Sequence, residues 1–210
     1  MKNKKRDTSY IEATKYYEIG EIDKALDECE EGISKNLKNS GILNLKGLLL
    51  YIKGDLEGAV STWKINSDFN DDITAKNYIK DSKYDEERLE LYNESFILIK
   101  NFKIDDAIDN IKSCLESDFN SINVNLLLSQ CYLKKGDYDS ASVYITKALG
   151  IDRNNKFAHV IVNEIEEFTG VKLEINRNKR LVKLGPIFIF VCIIVIFIVI
   201  KIASKHINIG

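Results

Sequence analysis

The stretch "KGDYDSASVYITKALGID", residues 135–152, decides how this chain folds. Gly136 stands two places before Tyr138, and alanines follow at Ala141 and Ala148, on one side of any helix drawn through them. A lone amphipathic helix needs apolar residues on one face, but it has no use for small ones at two fixed places. Small residues are required where two helix axes approach closely, so the stretch implies a second helix packed against it. The same pattern occurs in "EIGEIDKALDECEEGI" (18–33), with Gly20 and Ala25, and in "IKGDLEGAVSTWKI" (52–65), with Gly54 and Ala59. It occurs again in "KNFKIDDAIDNIKSCL" (100–115), where Ala107 is kept but Phe102 stands in the glycine's place. Ala25 and Ala59 are 34 residues apart, and so are Ala107 and Ala141; Ala59 and Ala107 are 48 apart, one period plus 14 residues.

Between these marks apolar residues recur three and four apart, as in "YIEATKYYEI" and "FAHVIVNEIEEF". The chain has a single proline, and it lacks alternating strand patterns and Asn-Gly or Asp-Gly hairpin turns. An all-α domain is expected. A 34-residue period of this kind resembles the tetratricopeptide repeat. The resemblance covers residues 6–155, as repeats 6–39, 40–73, 88–121 and 122–155. The small residue of each first helix falls on Ala13, Gly47, Ser95 and Ser129, and the large residue three places later on Tyr16, Leu50, Leu98 and Tyr132. The second helices carry Ala25, Ala59, Ala107 and Ala141, followed by Cys29, Trp63, Ile111 and Ile145. The apolar residues after the turns are Ile22, Leu56, Ile104 and Tyr138. The resemblance implies a right-handed superhelical solenoid of helix–turn–helix units, each burying its faces only by stacking on its neighbours. The sequence departs from the family where a proline is usual after the second helix, with Leu37, Phe119 and Arg153 there, and at Gly32 and Asn66, where alanine is usual.

The 14 extra residues, "TAKNYIKDSKYDEE" (74–87), read either as a short inserted helix with a linker or as a lengthening of the next helix. "DSKYD" favours the first, because it looks like a helix stop followed by a new cap. The domain order expected is therefore repeats at 6–73, an inserted helix and linker at 74–87, and repeats at 88–155. A capping helix at 156–170 carries Phe157, Ile161, Ile165 and Phe168 in one stripe, with Glu164, Glu166 and Glu167 outward and Gly170 as its stop.

The charge is uneven. Residues 1–170 hold 23 Lys and Arg against 31 Asp and Glu, whereas residues 171–210 hold 7 against 1. An acidic repeat region lacks the concentrated basic face that phosphate backbones require, which argues against nucleic acid. The basic tail is a linker at 171–183 followed by the apolar run "LGPIFIFVCIIVIFIVI", residues 184–200. Seventeen uncharged residues make about 25 Å of helix, near the lower limit for crossing a bilayer. Fourteen of them are Leu, Ile, Phe or Val, together contributing about −4 to −8 kcal/mol toward insertion. A transmembrane helix is expected at 184–203, with a short tail at 204–210. Lys172, Arg177, Lys179, Arg180 and Lys183 precede the run, against Lys201 and Lys205 after it, so the repeats are expected in the cytoplasm of a single-pass, tail-anchored membrane protein.

No catalytic constellation is visible. His159 and His206 are far apart, the acidic runs "DECEE" and "YDEERLE" lack the alternation of a calcium loop, and no phosphate loop or GxSxG elbow occurs. The four cysteines (Cys29, Cys114, Cys131, Cys192) form no CxxC pair, so neither a zinc site nor a redox pair is expected. An enzyme, a cofactor and a metal are all outside this reading. The family resemblance implies instead a concave face, lined by the first helices, that holds a protein or peptide. Candidates on that face are Tyr10, Thr14, Tyr17, Asn44, Leu48, Tyr51, Tyr92, Phe96, Leu126 and Gln130. The set has too few cations to clamp a terminal carboxylate, and its aromatic character suits a hydrophobic or amphipathic segment. The expected function is a membrane-anchored scaffold or adaptor. A constitutive structural subunit of a larger membrane complex is the alternative, and an adaptor of the mitochondrial-fission type, with fewer repeats, is a more distant one.

Overall fold

The computed structural model describes residues 8–174. Ten α-helices and two single 3-10 turns, with no strand, make up these described residues. The helices are α1 (Thr8–Glu18), α2 (Ile22–Lys35), α3 (Ser40–Lys53), α4 (Leu56–Asn70), α5 (Ile73–Asp81), α6 (Asp85–Lys100), α7 (Ile104–Ser113), α8 (Ser121–Lys134), α9 (Tyr138–Ile151) and α10 (Lys156–Thr169). Four antiparallel hairpins result: α1–α2, α3–α4, α6–α7 and α8–α9. Helix α5 packs on α4, and α10 packs on α9. Among the described residues no helix is long and apolar enough to cross a membrane. The expected transmembrane helix at 184–203 and the tail at 204–210 lie outside the described residues, as does the linker 171–183 beyond residue 174.

Side-chain size explains the hairpins. Ala13, Ser95 and Ser129 on the first helices and Ala25, Ala59, Ala107 and Ala141 on the second are fully buried, and Gly47 is buried with them. At Gly47 a Cβ would stand 2.2 Å from Trp63 Nε1, so only glycine lets that indole lie across α3. Gly32 is held in the same way, since its Cβ would come 2.2 Å from Ile42 Cδ1. Three hairpin turns place Gly20, Gly54 and Gly136 in the left-handed region, at φ 74°, 90° and 74°, where a glycine carries no Cβ penalty. The fourth turn makes the same bend with Phe102, at φ 61°. Aspartates then start the helices, Asp55 and Asp137 accepting from the backbone N–H of Gly58 and Ser140.

Helix α8 is the centre of the molecule. Ile122, Val124, Asn125, Leu126, Leu127, Leu128, Ser129 and Cys131 are all buried, so it is covered nearly all round. Val124, Leu127, Leu128 and Cys131 share a core with α6 and α7. Ile122 and Leu126 share another with α1–α3, α9 and α10. That second core runs through a seam between hairpins that are not neighbours in sequence. There the backbone N–H of Asn120 donates to Tyr51 O, and that of Arg153 donates to Gly20 O, both at 2.9 Å. Asn123 Nδ2 also donates to Lys53 O at 2.9 Å. The turn ends of the first two hairpins thus meet the connecting ends of the last two.

Candidate functional site

The ten candidate residues sit on α1, α3, α6 and α8, the first helices of the four hairpins, and Tyr17, Leu48, Tyr51 and Leu126 share one core. Tyr10 and Tyr17 of α1 are brought toward Tyr78 of α5, a residue outside the sequence-derived set. Tyr78 is pushed above the usual phenol range first by its burial and then by the neighbouring Tyr17, Asp72 and Tyr10. Tyr10 is 41% exposed and lies against Gly41, where a Cβ would approach its ring to 3.1 Å. Leu48 is partly buried against the core that includes α3. The result is a face built by α1, α3 and α5 whose rings are partly open to solvent. Thr14 turns its hydroxyl to the Tyr10 carbonyl within its own helix.

Asn44 underlies this face. Its Nδ2 donates to Asp72 Oδ1 at 3.0 Å, and its Oδ1 accepts from Asn66 Nδ2 at 2.7 Å. Asn66, fully buried where the repeat family usually has alanine, also donates to Ser40 O and accepts from Asn70. Asp72 accepts from Ser40 Oγ and from the backbone N–H of Ala75, and so caps α5. Burial pushes the Asp72 carboxyl up, but these hydrogen bonds outweigh it and hold the group below the usual carboxylate range. Asn44 is therefore a strut that fixes α5 against α3 and α4.

Tyr51 is a strut too. Its hydroxyl donates to Asp85 Oδ2 at 2.5 Å and meets Ser117 Oγ at 2.9 Å, while its ring packs on Trp63 and Phe119, centroids 5.4 and 5.3 Å apart. Asp85 is fully buried and paired with Arg88 at 2.9 Å. Burial and then the Asp85 carboxylate push the Tyr51 phenol well above its usual range, so it stays a donor. The repeat alignment did not point to this contact, because Asp85 lies within the 14-residue insertion, which that alignment leaves without a counterpart.

The other candidates belong to the second pair of hairpins. Tyr92 and Phe96 of α6 pair edge to face at 5.2 Å, with Phe96 48% exposed and Tyr92 half-buried. Burial pushes the Tyr92 phenol up to about 12. Leu126 of α8 is buried in the core, and Gln130 is half-buried on the same helix. Among the described residues no group of His, Cys, Asp and Glu is placed to hold a metal ion. Cys29, Cys114 and Cys131 are free, buried thiols, raised by burial, to about 12 for Cys29 and about 11 for Cys131. Groups so held are packing residues rather than nucleophiles.

The family model of the tetratricopeptide repeat matches residues 122–155, which are α8, α9 and the turn after them. No curated protein matches the chain. Among solved structures, the tetratricopeptide-repeat domain of P58(IPK) is similar at a TM-score of 0.59 with 18% sequence identity, over 77% of this chain and 45% of that one. The chain thus spans less than half the length of that structure, and the likeness is one of fold. With a matched repeat at residues 122–155 and hairpins of the same construction on both sides of the insertion, residues 8–174 fold as a tetratricopeptide-type helical repeat domain.

Proposed function

We propose that the chain is a membrane-anchored scaffold whose repeat domain, in the cytoplasm, binds a hydrophobic or amphipathic protein segment. One observation carries the binding part. On the face of α1, α3 and α5 the polar groups of Asn44, Asp72 and Asn66 are tied to one another, and beside them the Tyr10 ring is 41% exposed. Aromatic rings on a rigid support are the usual anchors of protein interfaces. The fold supports the same reading, since tetratricopeptide-type stacks serve as interaction scaffolds. The anchor rests on the uncharged run 184–200 and its flanking lysines and arginines.

Two experiments test the proposal. A carbonate wash of membranes should leave the full-length chain in the pellet, and its release would remove the anchor. A photo-crosslinking residue at Tyr10 of the full-length chain in its own membranes should trap one discrete protein. The same residue at Leu37, on the α2–α3 connection, should not. Equal trapping at both positions would contradict a defined face.

A further inference from the structure

Helix α10 packs on α9 and α8, and its outer side is not the polar surface that the end of a helical repeat domain needs. Of the stripe read from the sequence, Ile161 and Ile165 are buried, whereas Phe157 and Phe168 are 49% and 65% exposed, and Val160 beside them is 59% exposed. With Glu164, also exposed, these residues follow one another at i, i+3, i+7 and i+11, a single line along the helix. The Phe168 ring stacks on Tyr138 of α9, with centroids 5.8 Å apart. Phe102 is more exposed, at 91%, but it is one ring at a turn, as many surfaces carry. Three large apolar side chains in register on one helix mark an interaction surface instead.

The charges along α10 say what fits that surface. Arg153 and Lys156 stand at its start, and Glu164 and Glu167 stand in its second half, all four exposed. No ion pair among the described residues engages any of them. Asp139, beside Tyr138, adds to the anionic end. Glu166 accepts from the Leu173 backbone N–H, and Lys172 and Glu174 offset each other. A face with cations at one end and anions at the other is complementary to itself when turned end for end. The apolar line has the same property, because reversed it reads Phe168, Glu164, Val160, Phe157.

We infer that α10 is a self-association surface, on which α10 of a second copy of this chain packs antiparallel about a two-fold axis. Phe157 of each copy then lies on Phe168 of the other, and Val160 lies on the methylenes of Glu164. Lys156 comes within reach of Glu167 of the second copy. A parallel pairing would set the anionic ends against each other, whereas antiparallel helix dipoles favour the proposed arrangement. The inference uses neither the face of α1, α3 and α5 nor the anchor, so it stands or fails apart from both.

The test is disulfide trapping in the full-length chain carrying Cys192→Ser, in which Cys29, Cys114 and Cys131 are buried. Copies with Phe157→Cys and copies with Phe168→Cys, differently tagged and mixed, should form a covalent dimer several-fold faster than either copy forms with itself. In the antiparallel pair, position 157 lies about 16 Å along the helix from its own counterpart. Leu37→Cys, on the α2–α3 connection, should trap no dimer. Read by sedimentation in detergent without crosslinking, Lys156→Glu and Glu167→Lys should each lower the dimer fraction, and the two together in one chain should restore it. Trapping no faster in the mixture than within either copy, or as fast at Leu37→Cys, would overturn the inference. So would a double charge variant that melts like the parent and stays monomeric. A different protein joined at position 157 would overturn it as well and assign the surface to that protein.

Discussion

At the scale of single residues, the fold is set by the sizes allowed at a few contacts. Gly47 shows it most sharply, because its missing Cβ is the space in which Trp63 lies. Gly47→Ala is expected to destabilise the domain by about 1–3 kcal/mol, as overpacking does; a urea melt identical to the parent's would mean that the indole is not where it is described. Phe102→Gly acts in the other direction. It relieves a left-handed backbone at no loss of packing and is expected to stabilise by about 1 kcal/mol, read as a higher urea midpoint. The small residues were legible in the sequence because their spacing repeats. The Phe102 turn was legible as a departure, but not its exposure, since spacing does not say which way a ring points.

Elements depend on buried polar groups that carry no periodic signal. Tyr51 and Asp85 hold α3 to the start of α6, and Asn44, Asn66 and Asp72 hold α5 to α3 and α4. Read as pattern alone, Tyr51 and Asn44 looked like groove residues, because a first-helix position facing a neighbouring helix and one facing a ligand share the same spacing. Tyr51→Phe should cost about 1–3 kcal/mol by leaving the buried Asp85 short of a donor. Alkaline titration reads the same packing. Tyr92 is held up at about 12, and Tyr51 and Tyr78 are raised as well. A phenol that keeps its proton more tightly when folded contributes stability in full below its unfolded pKa of about 10. That contribution falls as pH rises from there through the folded value. Urea melts should therefore weaken between about pH 10 and 12, and less so for Tyr92→Phe, which keeps the ring and removes the titrating group. An equal decline in parent and variant would mean that Tyr92 is exposed.

For the molecule as a whole, the seam is what repeat counting did not show. In an open stack each repeat touches only its neighbours, yet here the first two hairpins bond directly to Asn120, Asn123 and Arg153. A 34-residue period specifies neighbours in the chain and is silent on contacts across it. Gly54 and Gly136 separate the two effects. Both have positive φ, but a Cβ at Gly54 would stand 2.2 Å from Asn120 Oδ1, whereas nothing lies within 4 Å of one at Gly136. Gly136→Ala is expected to cost about 1 kcal/mol of backbone strain. Gly54→Ala should cost more and should speed amide exchange at the start of α8. Equal losses would deny the seam.

In the proposed reading the partner segment binds on the face of α1, α3 and α5. The most direct test is a binding titration of the partner trapped from position 10, using full-length protein in lipid nanodiscs. The Tyr10→Ala variant, shown by its melt to be folded, should bind about tenfold more weakly, a loss of about 1.4 kcal/mol. A folded variant that binds as tightly as the parent would contradict the account.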